Sequence, residues 1–258
     1  MNKLKSIVRF VLFLSVALIL GTSCSDDDKP VVVQPSRVIK KVMIYQSSDQ
    51  TKFLASLIFS YDAKGRLTQL YSKEPLSIVN YTYGDEDKVT YNYSSSNSSL
   101  VEVNTTLENG RTYSCSFSNR TDDINYLYND GYLKTAKNGN LELKYTWENK
   151  NLKSITSSPS TLYTDEFNVS NVSNDYSIDL NTLILLMDGR ADYKTVMNVY
   201  GQMAGLLGYK TQNVAENTDY LYDYSFYQDG RLKLMTLVAS GEAYTFRIEY
   251  NDAVLAEN

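Results

Sequence analysis

From residue 37 onward, apolar and polar residues alternate along the chain with a period of two. The stretch 141–148 shows this most clearly, because Leu, Leu, Tyr and Trp alternate with Glu, Lys, Thr and Glu. Successive side chains on a strand point to opposite faces of a sheet, so the spacing predicts strands with one apolar and one polar face. The same spacing gives two further apolar sets: Tyr113, Cys115 and Phe117, and Tyr244, Phe246, Ile248 and Tyr250.

Turn residues interrupt this alternation at intervals of about twenty residues, enough for two strands and two tight turns. They stand at Gly65, Asp87, Gly110, Gly131 and Lys150, and Gly230 repeats the pattern later. Asn109-Gly110, Asp130-Gly131 and Asp229-Gly230 favour type I′ hairpins, which need positive φ at both central residues. We therefore predict a mainly β fold, an antiparallel meander of about twelve or more strands in a strongly curved sheet or barrel.

The segment from about 178 to 208 has helical spacing instead, which predicts a two-helix insertion. Apolar residues follow Asp179 at spacings of three and four as far as Met187, with Asp179 placed to cap the first turn and Gly189 to end the last. A second helix is predicted over 192–207, with one apolar stripe. Two interpretations of the stripe stay open: it covers the apolar face of the sheet, or it docks a partner.

The first 23 residues are typical of a signal peptide. Basic residues precede an apolar run over 10–20, which is too short to cross a membrane as a helix. The small residues 21–23 and Cys24 resemble a bacterial lipobox, which implies that Cys24 is acylated and becomes the mature N-terminus. Ordinary cleavage that leaves a free thiol is the alternative.

The residues after Cys24 resemble a second targeting signal. Asp26, Asp27 and Asp28 resemble the acidic tag that sends Bacteroidetes lipoproteins to the cell surface, although a solvated linker is the other interpretation of such a run. Two prolines then favour extended backbone. We predict a flexible tether over 24–36, a single β-meander domain over 37–258, and an outer-membrane, lipid-anchored protein that faces the exterior.

The charge of the mature chain argues against a nucleic-acid partner. Three of the 25 basic residues and none of the 30 acidic residues lie in the signal peptide, which leaves 22 against 30, a net charge of −8. Such a chain is not expected to bind the phosphate groups of a nucleic acid.

If Cys24 is acylated, Cys115 has no intramolecular disulfide partner, and its place on an apolar face predicts a small buried core residue.

The chain has no histidine, which excludes Ser-His and Cys-His nucleophile pairs and His-ligated metals. Paired carboxylates can cleave glycosides without histidine. The adjacent acids at 85–87, Asp122-Asp123 and Asp165-Glu166 all fall in predicted turns, where Asp bonds to the local backbone. We therefore predict no catalytic residues, no metal and no cofactor.

Two resemblances bear on the fold. The stretch 61–68 resembles the tyrosine-aspartate repeat of Rhs and teneurin-type shells, and 227–232 is a looser copy, but those shells need many more repeats. The tether, the Tyr-rich hairpins, Ile178-Asp179-Leu180-Asn181, the stretch 205–214 and the final hairpin at 224–230 resemble a family of Bacteroides lipoproteins of unknown function. That resemblance implies a porin-like, many-stranded antiparallel fold, and it implies no catalytic residues.

Tyrosine is unusually abundant, with 23 residues in 258. Most tyrosines share a face with Leu, Phe or Trp, so strand construction explains most of the excess. Tyr71, Tyr132 and Tyr227 lie near turns or off the apolar register, and they are the candidates for an exposed binding surface.

These observations favour a surface-exposed outer-membrane lipoprotein that is not an enzyme and binds a glycan or a protein. The alternative is a structural component of an envelope complex that docks through the helical insertion. A carboxylate-based glycoside hydrolase comes third. A true pore is disfavoured because a lipid anchor would be redundant and several strands are rich in Ser and Asn.

Overall fold

The structure is a computed structural model, and it describes residues 37–73, 76–84, 87–95, 98–159, 163–187, 190–239 and 241–251. The predicted signal peptide, the acylated Cys24, the tag Asp26, Asp27 and Asp28, and the tether all lie outside the described residues.

Sixteen strands are present in the described part of the chain. They are β1 Ile39–Tyr45, β2 Phe53–Tyr61, β3 Leu67–Lys73, β4 Leu76–Tyr83, β5 Lys88–Ser95, β6 Ser98–Glu108, β7 Arg111–Phe117, β8 Ile124–Asn129, β9 Tyr132–Asn138, β10 Leu141–Glu148, β11 Asn151–Ser158, β12 Thr164–Ser173, β13 Asn213–Asn217, β14 Leu221–Phe226, β15 Leu232–Ala239 and β16 Glu242–Tyr250.

The strands form one antiparallel sheet in which nearly every strand pairs with its neighbours along the chain. β1 pairs with β16, so the first and last strands lie side by side, and the two free edges are β13 and β14. The sheet is therefore a nearly closed barrel with one seam. The predicted antiparallel meander is confirmed.

β-Bulges at one end of the barrel explain its curvature. In five hairpins the register shifts on the returning strand, always at the third residue after the predicted turn position. The extra residues are Thr68, Tyr113, Lys134, Lys153 and Lys233. A bulge bends its strand and increases the local twist, which favours closure of a sheet. One prediction fails here, because the bulge turns Tyr113 outward and leaves it 49% exposed.

The predicted turns are in place, but one has a different type. Asn109-Gly110 and Asp130-Gly131 have positive φ at both residues, as a type I′ turn requires. At Asp229-Gly230 only Gly230 has positive φ. The reason is a longer loop, in which the Tyr227 amide donates to the Arg231 carbonyl at 2.8 Å and the Asp229 carboxylate accepts from the Arg231 amide at 3.0 Å.

The two faces of the sheet differ in chemistry. The inward face carries the hydrophobic core, which includes Tyr91, Leu143 and Phe246, each at most 1% exposed. The outward face carries amides, with Gln69 donating to Asn80 at 2.8 Å and Asn80 to Asn92 at 3.3 Å across three strands.

Cys115 is buried as predicted, beside the Tyr126 hydroxyl, and burial raises the pKa of its thiol to about 12.

The insertion packs against the inward face, so it lies inside the barrel. Its helices are α1 Asn181–Met187, α2 Ala191–Met197 and α3 Val199–Met203. Inward tyrosines hold it: the Tyr91 hydroxyl donates to the Asn198 side chain, and the Tyr81 hydroxyl to the Tyr200 carbonyl at 3.0 Å. Its apolar stripe is buried in the core, and the docking interpretation of that stripe is wrong.

The single helix predicted over 192–207 is broken at Asn198. Asn198 adopts the left-handed conformation, with φ 49° and ψ 60°, and its side chain accepts a hydrogen bond from the Gly201 amide at 2.9 Å. Asn is one of the few residues that adopts this conformation readily, and it also caps helices well. One residue therefore ends α2 and starts α3.

In the part of the chain that is described, no helix has the length and apolar character needed to cross a membrane.

Candidate functional site

A cavity of about 340 Å³ lies between the helical insertion and the inward faces of β9 to β14. Its walls are mostly apolar and aromatic, and they include Tyr145, Trp147, Phe167, Leu185, Met203 and Tyr222. Polar groups interrupt this lining: Asp165, Ser177, Asp179, Asn181, Arg190, Gln202, Lys210, Thr211 and Asn217. An apolar cavity with a few convergent polar groups is the usual form of a small-molecule site.

The register of the sheet places the wall residues in rows. Tyr145 on β10 lies opposite Ile155 on β11, and Ile155 lies opposite Asp165 on β12. Trp147 and Leu152 form the next row, and the Trp147 indole donates to the Leu133 carbonyl at 2.7 Å. Alternation therefore aims both Tyr145 and Trp147 at the cavity.

The hydroxyl of Tyr145 is an unusual group, buried next to this wall. Tyr145 is 8% exposed, and its hydroxyl has no hydrogen-bond partner among the described residues. Burial raises the pKa of this phenol, so the group stays protonated and remains a donor. Buried polar groups are nearly always paired, because an unpaired one costs about 1–3 kcal/mol.

An ion pair lies at one end of the cavity. The Arg190 guanidinium is 3.1 Å from the Asp165 carboxylate and lies over the Tyr163 ring, 5.3 Å from its centroid. The Asn217 side chain donates to the same carboxylate at 3.2 Å. Asp165 is 5% exposed, and these partners compensate the burial of its charge.

Lys210 and Asp179 lie toward the end where the insertion enters. The Lys210 ammonium donates to the Tyr176 carbonyl, and burial lowers its pKa against the opposing effect of Asp179 and Asp175. Asp179 accepts from the Asn181 amide at 3.0 Å at the start of α1, as its predicted capping role requires, and from Asn174 at 2.8 Å. This end is therefore polar and partly solvated.

The seam of the barrel adjoins the cavity. β13 and β14 have no ladder between them, and side chains bridge the gap instead. The backbone amide of Asn217 donates to the Tyr222 hydroxyl at 3.1 Å, and the Tyr224 hydroxyl donates to the Glu216 carboxylate at 2.9 Å. Tyr222 and Asn217 also line the cavity, so the wall of the site includes this closure.

The three tyrosines predicted as a binding surface do not come together. Tyr132 packs on Trp147 at 4.9 Å and on Tyr209 at 5.3 Å between ring centroids, which places it beside the cavity. Tyr71 lies on the outward face between Ile58 and Ile78.

Tyr227 has a structural role. Its hydroxyl donates to the Ile248 carbonyl at 2.8 Å, and its ring packs edge-on to Tyr250.

Sequence reasoning missed Asp165, Arg190 and Lys210, and it assigned Tyr145 and Trp147 to the core. Asp165-Glu166 was predicted in a turn, but both residues belong to β12. The signal that could have found Asp165 is a single acid on the inward side of a strand. Asp122 and Asp123 do lie in a loop, and no group of His, Cys, Asp and Glu able to hold a metal occurs among the described residues.

The fold matches a solved structure. A porin-like protein from Bacteroides uniformis superposes with a TM-score of 0.58 at 12% sequence identity, over 84% of this chain and 98% of that chain. No family model matches the sequence, and no curated protein does. At this identity the likeness concerns the fold alone, so the chain has a porin-like antiparallel β-barrel fold, as the resemblance of its sequence implied.

Proposed function

We propose that this protein is a lipid-anchored binding protein of the outer membrane, facing the exterior, which holds a small, mainly apolar molecule inside its barrel and is not an enzyme. The observation that carries the proposal is the cavity beside the insertion, with its aromatic walls and few polar groups. The proposed partners are the membrane, through acylated Cys24, and this ligand.

The targeting sequence and the outward face support the location. The lipobox at Cys24 and the acidic run Asp26 to Asp28 follow a signal peptide. Strands that contact lipid need an apolar outer band, whereas this barrel carries the amide row of Gln69, Asn80 and Asn92 outside. This polar outward row suits a barrel that is surrounded by water and attached to the membrane through a lipid.

The pairing of the acids supports a role without catalysis. Asp165 is bound to Arg190 and Asn217, and Asp179 is bound to Asn174 and Asn181. A glycoside hydrolase needs one carboxyl group to donate a proton and another to act as base or nucleophile. Both acids of the cavity instead have structural partners.

A glycan is the second candidate ligand, because one aromatic ring is open beside the cavity. Tyr209 is 55% exposed and packs against Tyr132. An exposed aromatic ring next to hydroxyls suits stacking on a sugar. The mostly apolar lining of the cavity favours the small molecule over the glycan.

Trp147 makes the proposal testable, because it is the only tryptophan of the chain and it lines the cavity. The mature chain without the acylated cysteine, residues 25–258, contains every described residue and is titrated with ethylbenzene while its tryptophan emission is recorded. We expect a saturable change of emission. Ala215→Leu, which fills part of the cavity, is expected to weaken binding at least tenfold, and Ile58→Leu on the outward face is the control.

A linear, unsaturable response in the wild-type chain would contradict the proposal. Saturable binding to a glycan panel that Tyr209→Ala abolishes would favour the second candidate instead.

A further inference from the structure

Apolar side chains lie side by side on one part of the outward face, across β1 to β4. We call this group the apolar band, and it consists of Met43, Ile58, Tyr71, Leu76 and Ile78. Ile58 lies opposite Tyr71, and Tyr71 lies opposite Ile78. Met43 and Leu76 belong to the adjacent row on the same face. Ile58 is 38% exposed and Leu76 is 46% exposed, so water reaches the band.

The band is confined to one side of the barrel. The strands that follow β4 present polar residues on the outward face: Thr90, Asn92 and Ser94 on β5, and Glu102, Asn104 and Thr106 on β6. A barrel that spans a bilayer needs an apolar girdle around its whole circumference. A local group of exposed apolar side chains is instead typical of a contact surface.

Basic side chains border the band. Three of them are direct cross-strand neighbours of band residues: Lys41, Lys73 and Arg247. Glu249, opposite Lys41, is the one acid among the described residues of these rows. The mature chain as a whole has 22 basic against 30 acidic residues. The charge of this face therefore has the opposite sign to that of the chain, and it is complementary to an anionic surface.

An anionic bilayer fits both features of this face. Its phosphates attract Lys and Arg, and the boundary of its hydrocarbon accepts aliphatic and aromatic side chains. The proposed anchor at Cys24 keeps the barrel close to a bilayer, because the 13 residues 24–36 span at most roughly 45 Å. β1 follows these residues and carries both Lys41 and Met43.

We infer that the outward face of β1 to β4 docks the barrel on an anionic lipid surface, with the apolar band at the headgroup boundary and Lys41, Lys73 and Arg247 against phosphates. The inference rests on the membrane location in the proposed function and adds a second contact to the lipid at Cys24. One weak contact binds a membrane reversibly, whereas two together hold a protein there. The band therefore orients a barrel that the lipid retains, and a barrel without the lipid is washed off.

The test uses residues 25–258, which lack the lipid, and measures sedimentation with vesicles. The vesicles contain phosphatidylcholine alone or phosphatidylcholine mixed with phosphatidylglycerol. Ile58→Thr combined with Leu76→Thr removes two aliphatic side chains from the band and keeps good strand residues. Leu100→Thr combined with Leu127→Thr is the matched control, because these leucines are 63% and 57% exposed outside the band.

A second pair of variants tests the charges without changing the apolar side chains. Lys73→Gln combined with Arg247→Gln removes two cations beside the band. Lys137→Gln combined with Lys153→Gln removes two exposed cations from β9 and β11 and is the control.

We expect the wild type to bind the vesicles that contain phosphatidylglycerol and to prefer them to phosphatidylcholine alone. The aliphatic variant should lower the partition coefficient about tenfold or more, because two side chains no longer leave water for hydrocarbon. The charge variant should lower the preference for phosphatidylglycerol about tenfold. Both controls should leave these values nearly unchanged.

An absence of wild-type binding to either kind of vesicle, or equal losses in a variant and its control, would overturn the inference. Self-association of the wild type that the aliphatic variant abolishes would also overturn it, because a second copy would then cover the band. The proposed function is tested separately, by the tryptophan titration for the ligand and by fractionation of Cys24→Ser for the anchor. The failure of each is therefore distinguishable from failure of the band.

Discussion

The guanidinium of Arg231 lies over the ring of Tyr250, 4.6 Å from its centroid, while the Tyr250 hydroxyl donates to the Leu232 carbonyl at 2.7 Å. The same arrangement joins two residues elsewhere in the barrel: Arg66 lies 4.2 Å from the Tyr83 ring, whose hydroxyl donates to the Leu67 carbonyl at 2.8 Å. Both arginines also bind an acid of their own turn. The tyrosine-aspartate motif is therefore a clamp between a turn and the next strand.

The clamp at Arg231 is expected to contribute more stability than the clamp at Arg66, because its side chain is 11% exposed against 43%. Replacement by Lys loses the planar contact with the ring and the paired hydrogen bonds to the acid. We expect Arg231→Lys to lower the free energy of unfolding by about 1 kcal/mol and Arg66→Lys by less than half of that. Urea unfolding measures the loss of unfolding free energy in each variant. A loss in Arg66→Lys that equals or exceeds the loss in Arg231→Lys would contradict this ranking.

Tyr145→Phe is expected to stabilise the ligand-free protein. The variant keeps the ring and removes a buried hydroxyl that has no partner in the described part of the chain. The gain should be up to about 1 kcal/mol, since the desolvation of an unpaired group is no longer required. Tyr128→Phe is the matched comparison, because its hydroxyl donates to the Thr112 carbonyl at 2.8 Å, and it should lose about 1 kcal/mol. Losses of similar size in both variants would show that the Tyr145 hydroxyl is paired.

High pH is expected to unfold the barrel through its tyrosines. Burial raises the pKa of Tyr61 and of Tyr83 to about 12, and it raises the pKa of Tyr91 further. In the unfolded chain a phenol ionises near pH 10, so above that pH the unfolded state binds fewer protons and stability falls as pH rises. Unfolding followed by circular dichroism should therefore begin above pH 10, together with the rise of tyrosinate absorbance. Ionisation of all tyrosines with the fold intact would contradict this.

Cys24→Ser is expected to remove the protein from the membrane fraction, because it removes the acylated residue. Replacing Asp26, Asp27 and Asp28 together with Asn should keep the protein membrane-bound and hide it from a protease added to intact cells. Fractionation and protease shaving measure the two effects. A Cys24→Ser protein that still sediments with membranes, or a triple variant that is still shaved, would contradict the respective prediction.

The strand pattern was predictable because alternation depends on the sequence of each strand alone. The turns at Asn109-Gly110 and Asp130-Gly131 were predictable for the same reason, since few residues tolerate positive φ. The bulge that exposes Tyr113 was not, because a shift of one residue depends on how two strands pair. Asn198 likewise ends a helix that its apolar spacing would have continued.

The candidate site was the least predictable part. Tyr145 and Trp147 have the same spacing as core residues, and only the packing of the insertion leaves a cavity beside them. Asp165 and Arg190 are 25 residues apart in the chain, so their pairing follows from the path of the insertion inside the barrel. The residues were visible in the sequence, but their proximity was not.

Isolation of the native ligand tests the central claim most directly. The protein is purified from cells that produce it naturally, with Ala215→Leu prepared in parallel, and small molecules released from each are compared by mass spectrometry. We predict a small, mainly apolar compound, about one per chain, in the wild type and strongly reduced in Ala215→Leu. The same compounds in equal amounts in both, or none in the wild type, would contradict a ligand held inside the barrel.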